Sequence, residues 1–330
     1  MRRLLWTFSL LFFLFVGGWL LLNMDKIQSP KDILRLVGHQ FSGLGAGAQS
    51  QNAPWRMRTD YLVRIGSFNA NGLTEQRLKD PRVKTVVTDI IRQFDIIAVQ
   101  EINTKDTFAI KRFLKTINST GRNFKAILGN RSGGQDNEGL AFLYDASTIE
   151  LQDGQHYHVN DPDNVMQRDP LVAWFRTRVQ ERNAFTFTLV NVHLQRQADK
   201  DEMSRVSQIF RAVRNDGRVE DDVILIGDFG VDSQMLNRQV VAQGLQAINS
   251  DQSTSTRTTT QTDNIMLDPL ATGEFTGDNG VFDFLKAYNL SLNEALQVSD
   301  HMPVWGEFSV FENSGMGQIA NSQEQENRRR

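Results

Sequence analysis

"ILIGDFGVDS", residues 224–233, reads as a buried strand that runs straight into an acidic turn. Asp228 stands where the aliphatic run leaves the core, and strand ends of this kind are where sheet proteins collect functional polar groups. The stretch also holds the Asp-Phe-Gly tripeptide with which protein kinases hold magnesium. A kinase further requires a Gly-rich loop near its start, a strand lysine, a His-Arg-Asp loop upstream and an Ala-Pro-Glu downstream. None is present. The meaning of Asp228 therefore has to come from the other strand ends of the chain.

Those ends are polar in the same way. Strand-like runs recur as "YLVRIGSFN", "FDIIAVQEI", "LAFLYD", "LVAWFRTRV", "AFTFTLVNVHL", "DVILIGDF", "NIMLD" and "MPVWGEFSV". Helical patterns lie between some of them: "DPRVKTVVTDIIRQF" with its early proline, "TKDTFAIKRFLKTINS" and "ADKDEMSRVSQIFRAVRN". Strands with and without intervening helices predict an α/β sandwich of mixed sheets with helices packed outside. Asn69, Glu101, His193 and Asp228 each end a strand, Asp263 begins one, and Asp300 with His301 precedes the last. A side-chain period of two puts Glu101 on the face of Ile97 and Val99, and Asp228 on that of Ile224 and Ile226. If these ends converge, they form an oxygen-rich cluster with two imidazoles, which suits magnesium or manganese better than zinc. Taken singly, each has a plainer reading as a solvated turn residue or an Asx-turn acceptor. His39, His156 and His158 are read as ordinary hydrogen-bonding histidines.

The chain has 330 residues, a formal net charge of −3 and no cysteine. Thiolate catalysis, zinc–thiolate sites and disulfides are excluded, and a nucleic-acid partner would have to be met by a local basic patch. The uncharged run "LLWTFSLLFFLFVGGWLLL", Leu4 to Leu22, is long enough at helical rise to cross a bilayer, with Trp6 and Trp19 near the interfaces. It is read as an uncleaved anchor within residues 1–24 rather than a signal peptide, because no small-residue cleavage site closely follows it. Arg2 and Arg3 place the N-terminus inside, so the bulk of the chain is expected on the periplasmic or extracellular side. Residues 25–60 have linker composition, 61–311 form the folded domain, and 312–330 read as a disordered tail.

"FN" at 68–69, "QE" at 100–101, "VH" at 192–193, "GDF" at 227–229, "DNI" at 263–265 and "SDHMPV" at 299–304 occur in the order of a known family. The chain resembles the endonuclease/exonuclease/phosphatase superfamily, and within it the deoxyribonuclease I-like nucleases, from Ile65 to Phe308; "QRDPLVAWF" and "FDFLKAYNLSLNEALQVSDHMPV" carry the closer likeness. The resemblance implies a four-layered α/β sandwich, two mixed sheets face to face with outer helices, preceded here by the transmembrane helix. It implies a nuclease that hydrolyses phosphodiester bonds of DNA with Mg2+ or Mn2+, and it admits a structural Ca2+. Glu101 would ligate the metal, with Asp228, Asn69 and Asp300 completing or supporting the site. His193 would pair with Glu138 and His301 with Asp263, while Arg168 and Asn69 would contact a phosphate. Which imidazole is base and which is acid stays open.

Three departures from the family pattern matter. Gly230 stands where the family has an asparagine after Gly-Asp-Phe; Asp136 and Asn103 stand where deoxyribonuclease I presses an aromatic and an arginine into the minor groove; Ser233 and Thr260 stand at the places of its disulfide cysteines. Two alternatives follow: a phosphoesterase acting on a lipid head group or other small phosphodiester, and a catalytically impaired binding module.

Overall fold

The computed structural model describes residues 60–312 except 103–106, 130–138, 162–164, 167, 195–199, 219 and 241–243. The expected anchor, all but the last residue of the linker, the tail after Glu312, and Asn103, Asp136, Glu138 and His39 lie outside the described residues. Among the described residues no helix is long and apolar enough to cross a membrane.

Among the described residues twelve strands form two six-stranded sheets. The first is ordered β11 (Phe275–Val281), β12 (Val304–Ser309), β1 (Leu62–Asn69), β2 (Ile96–Ile102), β4 (Gly139–Asp145), β3 (Phe124–Leu128). The second is ordered β5 (Ile149–His158), β6 (Leu171–Thr177), β7 (Thr186–His193), β8 (Val223–Asp228), β10 (Asp263–Leu267), β9 (Gln246–Ala247). Each has one parallel pair at its centre, β1 with β2 and β7 with β8, among antiparallel neighbours. Parallel pairing needs a crossover, and helices supply it: α1 (Glu75–Leu78) and α2 (Pro81–Arg92) between β1 and β2, α4 (Lys200–Arg214) between β7 and β8. The other helices are α3 (Thr107–Ile117), α5 (Ser233–Val240), α6 (Phe284–Ala287) and α7 (Leu292–Val298).

Helix α2 shows how local sequence sets these elements. Asp80 caps it by accepting the N–H groups of Arg82 and Val83, Pro81 occupies the first turn, and Val83, Val86, Val87, Ile90 and Ile91 bury one stripe. The core lies in three slabs. One is between the sheets, with Phe142, Phe175, Phe185, Phe187 and Phe308; one joins the first sheet to its helices through Ile90, Phe94 and Phe113; one joins the second sheet to α4 and α5 through Val206, Phe210 and Leu236. Full burial of each such side chain stabilises by about 1.5–3 kcal/mol. The four expected layers are therefore present.

The carboxyl ends of all four central parallel strands meet at one rim, where the crossover topology leaves polar loops. Asn69 and Gln100 are paired in register, as are His193 with Asp228 and Asp228 with Asp263. Beside Asp228 the strands approach so closely that a Cβ on Gly227 would lie 1.9 Å from the carbonyl oxygen of Val192, at a φ of +151°. Only glycine fits there.

Candidate active site

His193, Asp228 and Asp263 stand side by side on three adjacent strands of the second sheet, and the first sheet brings Asn69 and Glu101 against them. The Asn69 amide nitrogen donates to Glu101 Oε1 at 2.9 Å and to Asp228 Oδ2 at 3.2 Å. Its Oδ1 accepts the N–H of Asn71 at 2.9 Å, which fixes the orientation of the amide. Asn69 thus holds the two carboxylates together from the first sheet.

Glu101 corrects one reading of the sequence. Period two would turn it with Ile97 and Val99 toward the helix layer, where those two residues pack. Instead its φ is +59°, and the β2–β4 register breaks between Val99 and Ile102. A bulge of this kind re-aims a side chain. Here it swings the carboxylate to the rim, 3.5 Å from His193 Nε2. The preceding Gln100 keeps the alternation and points between the sheets, donating to Asn191 Oδ1 at 2.8 Å and Ser67 Oγ at 3.0 Å. Asn191 in turn donates to the carbonyls of Val99 and Ala141, at 3.2 and 3.0 Å, across the broken register.

His301 Nδ1 lies 2.8 Å from Asp263 Oδ2, the expected pair. Asp263 has no solvent exposure and also accepts from the hydroxyls of Thr254 and Thr262, at 2.8 and 3.2 Å. Burial opposes a charge on His301, but the carboxylates of Asp263, Asp228 and Asp300 overcome it and raise its pKa to about 10. His301 Nε2 faces the site, 3.7 Å from Asp228 Oδ2 and 3.9 Å from Asp300 Oδ1. His193 behaves oppositely. Burial, with the charge of Arg168 beside it, holds it well below the ordinary imidazole range, against the pull of Asp228. Its Nδ1 is buried without a hydrogen-bond partner among the described residues, at the atom for which Glu138 is expected. Burial and the Asp263 charge raise the pKa of Asp228.

The sequence-derived residues Asn69, Glu101, His193, Asp228, Asp263, Asp300 and His301 therefore come together, with Arg168 at electrostatic range. Their donor set fits a hard divalent cation. Glu101 and Asp228 offer carboxylate oxygens that converge on one amide, and the ligating atoms of Asp228, Asp263 and His301 lie within 4.8 Å of one another. His158 Nδ1 is 3.1 Å from the carbonyl of Asp169, in keeping with its plainer reading.

Several residues have positioning roles that the sequence did not show. Ser299 Oγ donates to the carbonyl of Asn69 at 2.7 Å and accepts the N–H of His301 at 3.0 Å, tying the two sides of the site. Arg77 donates to the carbonyls of Ala70, Asn71, Gln297 and Val298, fastening the loop after β1 to the end of α7. Ser233 takes over part of the loop tether that cysteines would make, donating to the carbonyl of Ser250 at 2.9 Å and to Gln261 Oε1 at 3.0 Å. Small hydroxyl and arginine residues of this type become legible only once their partners are in place.

Gly230 donates its N–H to Asp228 Oδ1 at 2.9 Å and has a φ of +65°. Asparagine is among the non-glycine residues best able to adopt that region. Restoring the family amide with Gly230→Asn should thus preserve the turn and raise turnover by about tenfold or more, since one preorganised donor is worth about a hundred- to a thousandfold where fully engaged. The gain should appear in kcat rather than KM. A fall in kcat with unchanged melting temperature would show that another group fills that space.

The sequence profile described as the Endonuclease/Exonuclease/phosphatase family matches residues 66–301. Human deoxyribonuclease gamma is 27% identical over 263 residues, covering 73% of this chain and 84% of its own. Deoxyribonuclease-1-like 1 of Bos taurus is 28% identical over 256 residues, covering 73% and 79%. Among solved structures, the catalytic domain of human Nocturnin superposes with a TM-score of 0.53 at 15% identity, covering 76% of this chain and 95% of that one. A 3′ phosphatase from Neisseria bound to a product DNA hairpin superposes with a TM-score of 0.51 at 16% identity, covering 74% and 99%. These two structures share the fold.

Proposed function

Because the chain belongs to the endonuclease/exonuclease/phosphatase family, we propose that it is a divalent-metal-dependent phosphodiesterase, a deoxyribonuclease I-like endonuclease that hydrolyses DNA and is held at a membrane by its N-terminal helix. The observation that carries this reading is the pairing of two unlike imidazoles across one carboxylate cluster. Burial and the charge of Arg168 hold His193 below the ordinary imidazole range while the surrounding carboxylates hold His301 above it, which is the division of labour an in-line hydrolysis needs. Similarity to two deoxyribonucleases supports DNA as the substrate.

His193 Nε2, too far from Glu101 for a hydrogen bond, is available to take a proton from the attacking water. As the water oxygen bonds to phosphorus and the ester P–O bond breaks, His301 Nε2–H gives its proton to the leaving oxygen. Asp263 holds the imidazolium, and Arg168 binds a phosphate oxygen. A magnesium or manganese ion held by Glu101 and Asp228, with Asn69 orienting both and Asp300 alongside, would neutralise charge on the phosphoryl group.

The deciding experiment offers the full chain in detergent supercoiled plasmid, single-stranded DNA, RNA and a generic phosphodiester, with magnesium, manganese or chelator. Metal-dependent nicking of plasmid is expected. Turnover confined to small phosphodiesters would favour the phosphoesterase alternative, and metal or nucleic-acid binding without turnover would favour an impaired binding module. The second alternative draws on Gly230.

Anchoring is proposed from Leu4–Leu22. The intact chain should sediment with membranes and resist extraction by carbonate, and protease added to intact cells, or to spheroplasts where an outer membrane is present, should reach its hydrolase domain. Recovery as a soluble, N-terminally trimmed species would show that the segment is a cleaved signal.

A further inference from the structure

The loop that leads into β10 comes to a tight tip at residues 255–260, beside His301. Ser255 pairs with His301 in an antiparallel bridge. Thr256 donates its N–H to the carbonyl of Asp300 at 2.8 Å and its hydroxyl to the carbonyl of Ser299 at 2.8 Å. The hydroxyl of Thr254 holds Asp263, and its carbonyl accepts the N–H of Met302. Thr254 and Thr256 are both buried. The base of the tip is therefore part of the wall that positions His301 and Asp263.

The tip itself closes on Ser255. The Ser255 carbonyl accepts the N–H of Thr258 at 2.7 Å, and the Ser255 hydroxyl oxygen accepts those of Thr259 and Thr260 at 2.9 and 3.0 Å. Thr258 is held at a φ of +56°, a region that a β-branched residue enters only where its surroundings impose it. Between the buried Thr256 and the strained Thr258 stands Arg257, which is exposed. Its guanidinium makes no hydrogen bond or ion pair among the described residues, although the residue before it is bonded to the backbone of Asp300. A fixed turn thus carries a cation at its apex, and its backbone is ordered before any ligand arrives.

Charge says what such a group is for. The rim carries Glu101, Asp228, Asp263 and Asp300, and the chain as a whole has a net charge of −3. The overall field does not draw in a polyanion, which has to be met by local cations. Arg168 lies on the His193 side of the carboxylates. Arg257 lies on the His301 side, where the leaving oxygen is protonated. Two arginines so placed match a substrate that has phosphates beyond the one that is cleaved.

We propose that Arg257 holds a phosphate of the leaving strand, next to the scissile one, and so selects a polynucleotide over a phosphodiester with a single phosphorus. Its planar fork of N–H groups suits two oxygens of one phosphate. Contact with the backbone positions the strand without reading its bases. The inference rests on the reading of the rim as a phosphodiesterase and adds what that rim grips. The contact is made before and during bond breaking alike, so it should act on KM more than on kcat.

The test compares the full chain in detergent with its Arg257→Ala and Arg257→Lys variants. In magnesium, kcat/KM on supercoiled plasmid should fall by about tenfold or more in the alanine variant, mainly through KM, and by much less on a diester with one phosphorus. In chelator, the dissociation constant for a fluorescent DNA duplex should rise by a similar factor. The slope of its logarithm against log salt should shrink by about 0.9, for one phosphate no longer neutralised. Lysine should restore that slope and part of the affinity, because it keeps the charge and loses the fork. An alanine variant with wild-type KM on plasmid and a wild-type salt slope overturns the proposal and leaves the hydrolytic reading intact. Equal losses on plasmid and on the single diester overturn it as well, since they place Arg257 at the scissile phosphate. A wild type that cleaves no phosphodiester, but whose hold on the duplex weakens in the alanine variant, would sink the hydrolytic reading and keep the phosphate contact.

Discussion

Glu101→Gln should lower phosphodiester hydrolysis by about three orders of magnitude or more while leaving the domain folded. The substitution keeps the shape and the acceptor for the Asn69 amide but removes the charge that would hold a divalent ion and offset positive charge beside His193. Glutamine is a cleaner probe than alanine. Glutamine, unlike alanine, retains an oxygen for the Asn69 amide and so leaves the strained turn at a φ of +59° tied in place. Initial rates on plasmid over a range of magnesium concentrations, with the melting temperature of both proteins, check the result. A rate within a few-fold of wild type would place the metal, or the chemistry, elsewhere.

Loss of either imidazole should cost about 10²–10⁴-fold, and the pH profile should tell the two apart. His301 has its pKa raised to about 10, so it stays protonated through neutral pH and the rate should fall on the alkaline side as it loses its proton. His193 is depressed, so the rate should fall on the acid side as it gains one. Asp263→Asn removes the largest charge that raises His301, so the alkaline limb should move toward neutral while the acid limb stays close to its place. Measured as kcat/KM against pH, the variant should lose more activity at pH 9 than at pH 6. An equal loss at every pH would mean that Asp263 only positions the ring.

The eight inner strands were legible in the sequence because each carries an unbroken or alternating apolar run. The four that escaped, β3, β5, β9 and β11, are the four sheet edges. An edge strand pairs on one side only and faces solvent, so "IELQDGQHYH" and "FTGDNGV" carry no apolar signature. Most of the site was legible for a related reason: polar residues at the ends of apolar strands stand out. The direction of Glu101 was not, because a bulge is a tertiary event that periodicity cannot anticipate. Nor were Ser299, Arg77 and Asn191, which act by bonding backbone carbonyls from distant segments. Each of those bonds exists only after two parts of the chain have met.

The division of the site between the sheets has a consequence for how the protein is made. Asn69 and Glu101 belong to the first sheet, His193, Asp228 and Asp263 to the second, and His301 leads into β12, the last strand, which docks beside β1, the first. A ribosome must therefore have released nearly the whole chain before the His301–Asp263 pair can close. Until then an emerging polypeptide carries half a hydrolase on each sheet and nothing able to cut. Hydrolytic capacity would therefore arise late, once His301 can reach Asp263.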